Sequence, residues 1–238
     1  YSGLYLPLAG EKGLKSSITP TLGGDSKTSQ NTFLLEPVSI ENLHNNKGTR
    51  NFWCRIVGKG FWSVCGSSAQ QEADRFTGNQ DESELEAGLM WQKLHRASKR
   101  YGLEADTTSF VTLDGSMEVM LVEITKTDEA MEIVPIGAIP IYGRSADNIR
   151  DHRHVTSLLH RIETTQYGIE VTPVLSFDER GHRKNDISYF VYGSSGNGES
   201  PESFYPTVEQ FIGEGGSFLI PEAVRTEKAG AKAGEKFQ

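Results

Sequence analysis

The stretch MEVMLVEITKTDEAMEIVPIGAIPIY, residues 117–142, decides the fold. Its first part, MEVMLVEIT (117–125), is apolar on both faces of an extended chain through Met117, Val119, Met120, Leu121 and Val122. That predicts a strand inside a sandwich with both sides covered. TDE then turns the chain into MEIVPIGAIPIY (131–142). Pro135 and Pro140 remove ladder donors there, so this second strand lies at a sheet edge or carries a bulge.

Strand signals continue on both sides. FLLEPVSI (33–40), NFWCRIVG (51–58) and FWSVCG (61–66) are short, aromatic or β-branched, and bounded by Gly, Asn and Lys. GKG joins the last two as a hairpin-like link whose glycines are free to take positive φ. LEAGLMWQKL (85–94) fits period two through Leu85, Ala87, Leu89 and Trp91 and is read as a strand, although Leu85 and Leu89 also fit a helix, and SFVTL (109–113) reads as another strand. YGIEVTPVLSF (167–177) alternates through Ile169, Val171, Pro173, Leu175 and Phe177, and DISYFVYG (186–193) follows. Strand after strand with short polar turns is the pattern of a large antiparallel sandwich, not of βαβ units. The expected fold class is all-β, with one or two short helices. One helix is placed at PTVEQFIGE (206–214), with Thr207 as its cap and Glu209 in its first turn. The sandwich is assigned to residues 1–224. From Arg225 the chain becomes polar and Ala/Lys/Glu-rich, so residues 225–238 read as the start of a linker.

The chain has 238 residues, 36% hydrophobic and 24% charged, which is an ordinary globular composition with enough length for a large core. Its net charge of −8 argues against a nucleic-acid partner and against an anionic membrane surface. No apolar run approaches the roughly 20 residues of a membrane span. The chain opens on Tyr1 without a signal-peptide pattern, and the expectation is a true N-terminus further upstream. Cys54 and Cys65 are too few for a disulfide framework; two buried free thiols in a reducing, cytoplasmic compartment are expected, with a bridge between neighbouring strands as the alternative. Trp53, Trp62, Trp91, Phe52 and Phe61 could stack on sugars, but their apolar neighbours favour core packing.

Directly after the proline-bearing strand comes GRSADNIRDHRHVTSLLHR, residues 143–161, with four arginines, three histidines and two aspartates. Arg144, Arg150 and Arg153 are fork donors suited to carboxylate, phosphate or vicinal hydroxyls. Asp147, Asn148 and Asp151 accept from or donate to hydroxyls. His152 and His154 share a face only on a strand. Two readings stand: a salt-bridged loop packed against a partner surface, or a ligand-contacting loop. HRH supplies two ligands where zinc needs three or four, so metal is disfavoured. No G-x-S-x-G elbow is present. GSSGNG (193–198) lacks a following GK[ST] and reads as a loop, and FIGEGGSF (211–218) reads as a tight turn.

Several of these pieces occur in order in one known family. VEITKTDEAMEIVPIGAIPIYGRSADNIRDHRHVTSLLHRIETTQYGIEVTP (122–173) resembles the N-terminal sandwich domain of the family-94 glycoside phosphorylases, and FIGEGGSFLIPEAV (211–224) resembles the segment that closes that domain. ITPTLGGDSKTSQNTFLLEPVSIENLHNNKGTRNFWCRI (18–56) and SFDERGHRKND (176–186) are most similar to the branch acting on 1,2-β-oligoglucans. The resemblance implies a β-supersandwich and an inverting, reversible phosphorolysis of β-glucosides to α-glucose 1-phosphate. It implies inorganic phosphate as cosubstrate, no metal or other cofactor, and a homodimer. It also places the general acid and the main phosphate site on an (α/α) barrel that follows through a helical linker. This chain would then hold no catalytic residue and would not turn over alone. Its part would be substrate contact through Arg144, Arg150, Asp151, His152, Arg153 and His154, and support of the barrel and dimer.

Two other readings are carried. One is a free-standing carbohydrate-binding domain. The other is an aldose mutarotase or epimerase, with His152, His154 or His160 and a glutamate as acid and base near neutral pH.

Overall fold

The computed structural model describes residues 4–126, 129–146, 160–178 and 181–238. The fold is all-β: among the described residues there are seventeen strands and three short helices, and neighbouring strands run antiparallel. In chain order, β1 (Leu6–Ala9), β2 (Lys15–Ile18), β3 (Ser26–Ser29) and β4 (Thr32–Phe33) form the first sheet. The hairpin β5 (Asn51–Ile56) and β6 (Gly60–Ser63) leads to helix α1 (Ala69–Asp74). A four-stranded meander follows, made of β7 (Glu82–Gly88), β8 (Trp91–Ser98), β9 (Leu103–Val111) and β10 (Glu118–Lys126). Next, β11 (Ile133–Ala138) returns to pair with β5. After that come β12 (His160–Thr164), β13 (Gly168–Pro173), the small hairpin β14 (Leu175–Asp178) and β15 (Gly181–Lys184), and β16 (Tyr189–Tyr192). Helices α2 (Val208–Ile212) and α3 (Glu222–Arg225) precede β17 (Lys236–Phe237).

The core sits where the first three sheets meet. Leu8, Ile18 and Leu22 pack with Cys54, Ile56, Trp62 and Val64, and with Leu103, Ala105 and Val111. The strand covered on both faces is β5, not β10. Phe52, Cys54 and Ile56 face this core, whereas Trp53 points the other way, into a second cluster with Phe211, Ala223 and Val224. Among the described strands β10 lies at a sheet edge. Met120, Val122 and Ile124 pack inward, while Leu121 on its other face is 52% exposed. Apolar side chains on both faces of 117–125 therefore do not mean two covered sides: the outward ones lie on an open sheet face. β11 is at a sheet edge, as Pro135 and Pro140 require.

Two other strand boundaries differ from expectation. Residues 85–94 are two strands joined at Leu89–Met90, because Met90 takes φ +61° and reverses the chain. Period-two apolar spacing runs through such a turn unbroken. In FLLEPVSI only Phe33 belongs to a strand; Leu34 and Leu35 both donate to the carbonyl of Ser26, which ends the ladder before Pro37. The helix at 206–214 is present as α2. The Thr207 hydroxyl accepts from the Gln210 amide, and the Gln210 Oε1 accepts from the Thr207 amide. The residues after Arg225 fold back onto the body: Ala231 bridges Phe204, and Phe237 pairs with Ile162 on β12. Trp53 and Trp62 are core residues with essentially no exposure.

A buried ion pair ties the sheets together. Arg50, at the foot of β5, holds Glu118 at the head of β10 through Nε and Nη2, and Ser16 on β2 donates to the same carboxylate. Removing one partner of such a pair strands the other charge, so Glu118→Ala is expected to cost about 3–5 kcal/mol in urea unfolding at pH 7. Cys54 and Cys65 are both free and buried in the core, and burial pushes each thiol up to about 12. Neither is expected to react with a disulfide reagent at pH 8 in the native protein, and both should react once it is unfolded.

Candidate functional site

Of the six residues that the sequence marks for ligand contact, Arg144 is described. Arg150, Asp151, His152, Arg153 and His154 lie outside the described residues. The structure therefore shows the two ends of the 143–161 stretch and brings them together.

The N-terminal end is held by backbone bonds to β4 and the residues beside it. Tyr142 donates to Leu34 at 2.7 Å, Gly143 to Phe33 at 2.9 Å, and Phe33 returns a bond to the carbonyl of Arg144 at 3.0 Å. Ala146 donates to Gln30. Gly143 turns the chain at φ +65°, a conformation in which a side chain is strained. It does so against Tyr189 and His160: a Cβ there would stand 3.5 Å from one ring and 3.6 Å from the other. The Arg144 guanidinium then stacks on Tyr142, 4.4 Å from the ring centroid, which fixes a planar cation at the root of the stretch.

The C-terminal end begins at His160, the first residue of β12 and the register partner of Pro173. The ring points to the inner face of its sheet, and its Nε2 is buried without a hydrogen-bond partner among the described residues. Burial, and next the charge of Arg144, push its pKa down to about 4. Near pH 7 the ring is neutral. Tyr189, beside it, has its phenol pushed up to about 12 by burial and stays protonated.

The chemistry follows. Arg144 is a permanently charged, planar cation held against the Tyr142 ring. Burial and the Arg144 charge disfavour the protonated ring that a general-acid role near neutral pH would need. Sequence reasoning singled out Arg144 and His160, but not the Tyr142 platform, the Gly143 turn or the Tyr189 wall. The signal was present in Tyr-Gly-Arg: a glycine between an aromatic and an arginine lets the two side chains fold onto one another.

A second polar cluster was missed by the sequence reading. On the outward face of β8 and β9, Asp106 accepts from Lys93 at 2.9 Å and meets His95 Nδ1 at 2.8 Å. Lys93, and next burial against it, set the balance that holds this carboxyl below its ordinary range. An ion pair this exposed contributes little to stability. A cleft of about 220 Å³ lies beside the glycine turn of residues 213–216, bordered by Glu222 and Arg225. Among the described residues no helix is long and apolar enough to cross a membrane.

His160 makes a pH prediction with a definite sign. The unfolded ring binds its proton near pH 6.5, the folded ring near 4. Proton uptake thus favours the unfolded chain, and the contribution is fully present above 6.5, falls between 6.5 and 4, and levels off below. Between pH 7 and 4 the wild type should lose about 2–3 kcal/mol more than His160→Gln in urea titrations. Parallel pH profiles for the two proteins would refute it. No protein-family model matches this chain, and no curated protein matches it.

Proposed function

We propose that the chain is the sandwich domain of a glycoside phosphorylase that cleaves β-glucans, 1,2-β-oligoglucans foremost, with inorganic phosphate to give α-glucose 1-phosphate. The observation that carries the reading is the pairing of the all-β body with the Arg144 cation, presented at the root of the segment that most resembles the family. The FIGEGGSFLIPEAV segment adds support. It runs from the end of α2 through a glycine turn into α3, and Phe211, Ala223 and Val224 pack with Trp53.

In this reading the bond-making step lies on an (α/α) barrel outside this chain. A phosphate oxygen attacks the anomeric carbon as the glycosidic bond breaks, and a barrel carboxylic acid protonates the leaving oxygen. The chain's own contribution is binding and orientation. The substrate contacts assigned in this reading are Arg144 and, outside the described residues, Arg150, Asp151, His152, Arg153 and His154. The protein works in the cytoplasm as a homodimer whose contacts the sandwich shares. His160, kept neutral by burial and by Arg144, stands against Gly143 at the root of the stretch and holds it in place.

The test is glucose 1-phosphate release from short 1,2-β-glucans plus phosphate, using a reading frame extended beyond Gln238. Release that is lost on deleting the downstream barrel, and that falls at least tenfold in kcat/KM for Arg144→Ala, supports the proposal. A folded, extended protein that releases nothing from any β-glucan overturns it.

A further inference from the structure

The sheet that carries His160 on its inner face presents a different surface outward. Its strand order is β16-β13-β12-β17. Pairing puts Tyr192 opposite Gly168, Phe190 opposite Glu170, Glu170 opposite Glu163, and Glu163 opposite Lys236. Residues opposite one another in an antiparallel ladder share a face. These side chains therefore form one continuous strip, which Arg161 and Thr172 extend by one row. Four strands at about 4.8 Å spacing make it roughly 14 Å long.

Two aromatic rings stand at one end of the strip. Phe190 and Tyr192 are 41% and 46% exposed, and their rings lie side by side, 4.8 Å between centroids and tilted by 31°. Gly168 makes this possible. A Cβ there would come within 2.8 Å of the Tyr192 ring and 1.9 Å of the Val191 carbonyl. The Tyr192 hydroxyl donates to Glu170, which pins the ring flat against the sheet and holds the carboxylate at its rim. Alongside, Thr172 and Ser188 share a hydroxyl bond of 2.7 Å. Further along the strip, Lys236 stands 3.8 Å from Glu163, both largely in water.

Adjacent exposed aromatic rings on a sheet face, rimmed by polar groups, are the kind of patch that marks an interaction site. The surroundings select what binds there. A protein partner's apolar patch would bury Glu170, Glu163, Arg161 and Lys236 with it, at a desolvation cost. A nucleic acid or another polyanion would meet two carboxylates on a chain of net charge −8. A neutral polyhydroxyl chain fits all of it: C–H faces on the two rings, hydroxyls on carboxylates, guanidinium, ammonium and threonine, and no net charge to neutralise.

We propose that this outward face is an oligosaccharide-binding platform, with Phe190 and Tyr192 as stacking surfaces and Glu170, Glu163 and Arg161 as hydroxyl partners. It lies on the face opposite to His160 and the root of residues 143–161. It does not depend on phosphorolysis, since binding here needs neither phosphate nor a barrel.

The experiment is isothermal titration of this chain with short neutral glucan oligomers of β-1,2, β-1,3 and β-1,4 linkage, repeated for Phe190→Ala and Tyr192→Ala. The expected result is saturable binding of at least one oligomer, weakened about tenfold or more by either substitution. The variants' thermal unfolding should stay within a few degrees of wild type, because both rings are exposed. No binding by the wild type, or binding that neither substitution weakens, overturns the platform. So does a mass in solution that falls from dimer to monomer with Phe190→Ala, which would give the face to protein contact. The phosphorolysis assay can succeed or fail independently of each of these outcomes.

Discussion

A single buried guanidinium organises the middle of this protein. Arg50 is 2% exposed and gives Nε and Nη2 to Glu118. Its remaining donors are turned toward the loop between β2 and β3. Nη1 lies 3.3–3.4 Å from the carbonyls of Ser17, Leu22, Gly23 and Gly24, and Nη2 lies 3.1 Å from that of Asp25. The loop curls around the cation with its carbonyls inward, and that curl forces unusual backbone. Leu22 takes φ +62° and Gly24 takes φ +105°, where a Cβ would stand 2.2 Å from the Ser17 carbonyl. An apolar residue held at positive φ persists only where its surroundings over-determine it. Here the surroundings are Arg50 on one side and, for Leu22, the main core on the other.

The rest of the architecture is referred to this point. β5 starts at the next residue and separates two apolar clusters, with Cys54 and Ile56 on one side and Trp53 on the other. Helices α2 and α3 close over Trp53, so the glycine turn between them is placed by β5 as well. β11 pairs with the far edge of β5 and delivers the chain to Tyr142, Gly143 and Arg144. The position of the Arg144 cation thus descends from the Arg50 cradle through one strand pair.

Local chemistry made part of this legible in the sequence. Pro135 and Pro140 marked an edge, Thr207 marked a helix start, and alternation marked β13. What escaped was set by distance along the chain. Arg50 sits in NKGTRNF, a stretch that reads as loop, and its partner is 68 residues away. Nothing local tells such an arginine from a solvated one. The doubly covered strand was sought at 117–125, where apolar residues are densest, and was found at 51–56, where Arg55 interrupts them. Burial on two sides depends on which sheets stack, and spacing within one strand does not carry that information. In the same way DISYFVYG read as a strand, but only pairing with Gly168 and Glu170 shows that Phe190 and Tyr192 face water together. For residues 143–161, the clustering of charge was evident, and the fold adds that its two ends meet across Gly143.

β10 is nine residues long and stands at the margin of its sheet, with one row of backbone groups facing away from β9. A long margin of that kind invites a strand from a neighbouring molecule, and stacked copies would grow into a fibre. The first residue of this margin is Glu118, whose carboxylate is turned inward and held by Arg50. An intruding strand would have to accommodate that fixed charge and the Glu123 and Lys126 that follow it. The carboxylate that closes the loop cradle inside the molecule therefore also guards its border against polymerisation, and damage to one role would surface as the other.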